Sequence, residues 1–147
     1  MTILRTTSLS TIALAAAAPA FAETIDSAAW DTLAAITVDE IITDTSYEAR
    51  KTFPADFSDR MPFDITGFVV PLGQTEDVTD FMIVSDMGFC PFCGNPEHGT
   101  SLQVSLAEPL PMIEEGMRIS LRGTLEAVTD PLTAQTTLMR DAVVVNG

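Results

Sequence analysis

The stretch "GMRISLRGTLEAVTD", residues 116–130, decides the fold. Met117, Ile119 and Leu121 alternate with polar neighbours, and Leu125 and Val128 take up the apolar positions after Gly123. A period of two places one face of a strand against a core. Gly123, in the middle, marks a bulge or a sharp bend. A strand that bends in mid-course lets a small sheet close on itself.

Four further segments read as strands on either side of it. "FDITGFVVPL" (63–72) ends at Pro71 and Gly73, and "DVTDFMIVSD" (77–86) follows at once. "TSLQVSLAE" (100–108) alternates Leu102, Val104 and Leu106 with polar residues, and "TTLMRDAVVVN" (136–146) is the last. Pro109-Leu110-Pro111 and Asp130-Pro131 read as turns. Upstream, "DSAAWDTLAAITVDEII" (26–42) predicts one or two short helices carrying Trp30, Leu33, Ala34 and Ile41 on their apolar face, with Asp26 or Ser27 as N-cap. Residues 45–63 mix charges and prolines and predict an irregular or extended crossing that bears Arg50, Lys51 and Arg60. The expected architecture is all-β with an N-terminal helix: a small five-stranded barrel of the OB-like type, with a small β-sandwich as the alternative.

The first 22 residues have the layout of a secretory signal. Arg5 supplies the basic start, Ile12–Ala18 a short apolar run, and Ala20-Phe21-Ala22 a small-residue cleavage site. The apolar run is too short to span a bilayer. Residues 23–147 would then form one domain, with no repeats, linker or low-complexity tract. The expected location is the periplasm, as a soluble chain with no membrane span after cleavage. Removal of the leader takes away Arg5 and no acid, so the net charge moves from −14 to −15. A surface of that sign repels nucleic acid and anionic lipid.

Both cysteines and the lone histidine fall in "GFCPFCGNPEHG", residues 88–99. Gly94, Pro96 and Gly99 forbid the long helix that follows the motif in thioredoxin-type oxidoreductases. Cys-Pro-x-Cys-Gly matches a metal knuckle: two thiolates one tight turn apart, Pro91 setting the turn and Gly94 freeing the backbone. His98, five residues past Cys93, is close enough in sequence to serve as third ligand. Asp86 and Glu97 are the candidates for the fourth. The expected cofactor is zinc, with copper as alternative; Met82 and Met87 would favour Cu(I) as thioether ligands but are expected to pack in the core. Phe89 and Phe92 either shield the ion, present a hydrophobic lip to a partner, or seal the barrel mouth. Two other readings remain open, a thiol–disulfide role for Cys90 and Cys93, and an inert disulfide on a non-catalytic interaction module. A Cys-x-x-Cys bridge closes too small a loop to restrain the unfolded chain much. No nucleophile elbow, phosphate loop or catalytic triad is present, so no catalytic residue is assigned.

Gly67-Phe68-Val69-Val70-Pro71-Leu72, Phe81-Met82-Ile83-Val84 and the loop from Gly88 to Gly99, continued through "ISLRGTLEAV", together resemble a family of uncharacterised exported bacterial proteins, a domain of unknown function. The resemblance runs over about residues 60–146. Many members carry a single cysteine followed by histidine and prolines, where this chain has Cys90, Cys93 and His98. The resemblance implies a β fold. It also implies an association with ABC-type permeases linked to metal transport, so the expected partner is a transporter component or a metalloprotein.

Overall fold

The computed structural model describes residues 27–87 and 100–146. A helix α1 (Ser27–Ala34) leads into a two-stranded hairpin, β1 (Thr37–Ile42) and β2 (Tyr47–Thr52). Five longer strands follow: β3 (Met61–Pro71), β4 (Glu76–Val84), β5 (Ser101–Met112), β6 (Arg118–Ala127) and β7 (Thr137–Asn146). These five close into a barrel in the order β3-β4-β5-β7-β6. All pairings are antiparallel except β5 with β7. The first, second, third, fifth and fourth strands thus follow one another around the ring, the Greek-key arrangement of an OB-like barrel.

Closure depends on two strands. β3 pairs with β6 from Met61 to Phe68 and with β4 from Phe68 to Pro71, so one strand serves two neighbours in turn. On the far side, the β6–β7 register slips between Arg122 and Thr124, and the β5–β7 register slips at the same level of β7. Asp141, with φ at +50°, carries the bulge. A side chain at Gly123 would stand 2.8 Å from the Arg140 carbonyl oxygen and 3.0 Å from Ala142 Cα. The bend expected at Gly123 is present, and its cause is the close approach of β7.

Alternate residues fill the interior. Phe63, Ile65 and Val69 of β3, Phe81 and Ile83 of β4, Leu102 and Val104 of β5, Ile119, Leu121 and Leu125 of β6 and Met139 of β7 are buried together. Burying side chains of this size contributes roughly 1.5–3 kcal/mol each. α1 adds Ala29, Trp30 and Leu33 to the same core. Trp30 Nε1 donates to the Thr66 carbonyl at 2.8 Å, and its ring occupies the space that a side chain at Gly67 would take.

Two expectations need correction. The helical reading of residues 26–42 holds only to Ala34; Thr37–Ile42 is a strand, paired with Tyr47–Thr52 along its whole length. The crossing expected over 45–63 therefore contains β2, whose Ala49 amide donates to Pro131 O at 2.8 Å. Pro109 and Pro111 lie within β5, not in a turn. They are tolerated because β5 pairs with β7 only as far as Leu106, so nothing on that side needs their missing N–H groups.

Candidate metal-binding loop and its platform

β4 and β5 form a hairpin whose connection is the cysteine–histidine segment. Val84 faces Ser101 as the last strand pair. Beyond it the Ser85 amide donates to Thr100 O at 3.1 Å, and the Thr100 amide donates to Ser85 Oγ at 3.0 Å. Ser85 accepts and donates at one level of the hairpin, so the chain departs and returns at a single hydrogen-bonded gate. Below the gate Ile83, Val84, Leu102 and Val104 are buried, which fixes the stem to the core.

Cys90, Cys93, Glu97 and His98 lie outside the described residues, as do Phe89, Phe92 and residues 1–22 of the expected leader. Asp86 is described: it is exposed and stands one residue beyond Ser85. Neither nearby methionine packs in the core as expected. Met82 is half-buried on the outer face of β4, opposite Gln103 of β5. Met87 is 58% exposed, with its thioether lying over Gly116, where a side chain would collide with the Met87 methyl group. Gly116 has φ of +78° and makes a turn with the exposed Glu114 and Glu115. Among the described residues no three His, Cys, Asp or Glu side chains group as a metal site. The metal expectation therefore rests on residues 88–99 with Asp86 beside them.

Several of the basic side chains are locally paired. Arg122 clasps Asp64 with two hydrogen bonds, at 2.8 and 2.9 Å. That guanidinium holds the Asp64 carboxyl below its ordinary value, and the carboxylate raises Arg122 in return. Glu126 accepts from Arg60 at 3.0 Å and from Arg140 at 2.9 Å. Arg50 is bonded to Glu48 at 2.8 Å. Lys51 donates to the carbonyls of Val128 and Asp130, each at 2.8 Å, and so ties the hairpin to the β6–β7 loop.

Sequence reasoning passed over one cluster. Gln103 on β5 and Gln135 in the β6–β7 loop meet through an amide–amide hydrogen bond of 3.0 Å. They line a pocket of about 340 Å³ with Met82, Ser101, Ala134, Thr136 and Thr137. Outward-facing polar residues on an alternating strand carry no signal of their own; the loop that folds over them creates the cluster. No helix among the described residues is long and apolar enough to cross a membrane. Comparison of the chain with protein-family models, with curated proteins and with solved structures found no match.

Proposed function

We propose that the chain is an exported metal-binding accessory protein that takes a zinc ion, or alternatively Cu(I), through Cys90, Cys93 and His98. Asp86 or Glu97 completes the site, or its fourth position stays open for exchange, as in sites that handle rather than store an ion. The partner would be a transporter component or a metalloenzyme of the periplasm. The observation that carries this reading is the concentration of two thiols and the imidazole in one segment, whose ends are joined by the Ser85–Thr100 hydrogen bonds on a packed hairpin. A fixed stem lowers the ordering cost of bringing three ligands to one ion.

The test is a zinc competition titration of the reduced protein and of Cys93→Ser. One tightly held ion per chain, lost in the variant and weakened as pH falls and protons compete for thiolate and imidazole, is the expected result. Equal zinc binding by both proteins contradicts the assignment. A readily reduced disulfide with no bound ion would point instead to thiol–disulfide exchange, and one of very negative potential to an inert bridge.

A further inference from the structure

We propose that the outer face of β4 and β5, with the β6–β7 loop folded over it, forms a binding site for a neutral, hydroxyl-rich ligand: a mono- or short oligosaccharide. The pocket of about 340 Å³ lies within the size range of small-molecule sites. It is built from the second and third barrel strands and the loop between the fourth and fifth. OB-like barrels take up oligomeric ligands across those elements.

The chemistry of the lining selects among such ligands. Gln103, Gln135, Ser101 and Thr136 supply amide and hydroxyl groups, and Met82 supplies an apolar wall. Gln135 Nε2 donates to Gln103 Oε1 at 3.0 Å and to the Thr137 carbonyl at 3.2 Å, which fixes both amides in orientation. That arrangement leaves the Gln103 amide hydrogens as donors and the Gln135 oxygen as an acceptor. A lining that offers both donors and acceptors and carries no charge matches hydroxyls, each of which gives and takes a hydrogen bond. No charged side chain lines the pocket. An anionic ligand would find no cation there and would approach a chain of net charge −14. No aromatic ring lines it either, so a nucleic-acid strand lacks the stacking platform that such barrels offer bases. The inference is independent of the metal reading, since none of these residues belongs to the cysteine–histidine segment.

The experiment is amide-resolved NMR titration of the whole chain with glucose, galactose, N-acetylglucosamine, maltotriose and chitotriose. Oligo(dT) and an uncharged Gly-Ser peptide are the contrasting probes. At least one sugar is expected to shift the resonances of Met82, Ser101, Gln103 and Gln135 in a saturable way. Gln103→Ala should weaken that sugar about tenfold. A second variant, Gln103→Glu, keeps the size and adds a charge, and should weaken it as well. Both variants should retain the buried Trp30 emission of the folded barrel. Absence of saturable shifts with all five sugars overturns the proposal, as does saturation of the same residues by oligo(dT) or by the peptide alone.

Discussion

A methyl group placed on Gly67 would lie 2.7 Å from Trp30 Cζ2 and 2.8 Å from the Val84 carbonyl oxygen. Backbone on one side and a ring anchored by its own hydrogen bond on the other leave neither neighbour free to give way. Gly67→Ala should therefore destabilise the barrel by about 1–3 kcal/mol, the usual cost of overpacking. It should also shift Trp30 emission to the red as the helix lifts; denaturant unfolding followed by tryptophan fluorescence reads both. A midpoint equal to wild type would mean that α1 does not seat on β3. Asp64 offers a titration test. Its carboxyl is held low chiefly by the hydrogen bond from Arg122. A depressed folded pKa gives stability that is present above the unfolded value and lost as pH falls through the folded one. In an NMR titration Asp64 should therefore ionise at lower pH than an ordinary aspartate, and Arg122→Ala should bring it back. Both groups are exposed, so the gain in stability is small.

The strands that face the core could be read from the chain, and the one hairpin that faces solvent on most of its surface could not. β3 buries alternate residues from Phe63 to Val69, and the first halves of β5 and β6 do the same, so period two survives in their sequences. β1 is exposed at all but one position, with burial only intermediate at Val38. Its strand conformation comes from pairing with β2, where Asp39 stands opposite Arg50, and from the Thr43–Ser46 turn. No periodicity records such a partnership, and a helical pattern fitted the apolar positions equally well. β5 beyond Leu106 was misread for a related reason: Pro109 and Pro111 punctuate most chains, but here they sit on an unpaired edge. Attachment of the β1–β2 hairpin to the barrel rests on Lys51 and on the Ala49 amide. Lys51→Ala should speed hydrogen exchange at the Ala49 amide about tenfold while core amides of β4 and β6 keep their protection. Uniform acceleration throughout would show that the hairpin and the barrel unfold as one unit.

For the molecule as a whole, the closed ring of β3 to β7 serves as a mount, and chemistry is assigned to what the β4–β5 hairpin and the β6–β7 loop display. The cysteine–histidine motif was visible as a motif because its spacing lies within twelve residues of chain. The Gln103–Gln135 pocket was not, because its two amides are 32 residues apart and meet only when the loop folds over β5. On the metal reading, the fixed stem makes zinc bind the folded chain more tightly than the unfolded one, so zinc should raise the melting temperature, by less than if the unfolded Cys-x-x-Cys segment had no affinity for it. Cys90→Ser should abolish that rise and leave the apo melting temperature close to wild type. The most direct measurement is X-ray absorption at the zinc edge on the reduced, zinc-loaded chain. The account predicts two sulfur ligands at about 2.3 Å and a nitrogen at about 2.0–2.1 Å, with imidazole scattering that disappears in His98→Ala. A first shell of oxygen and nitrogen alone would contradict it.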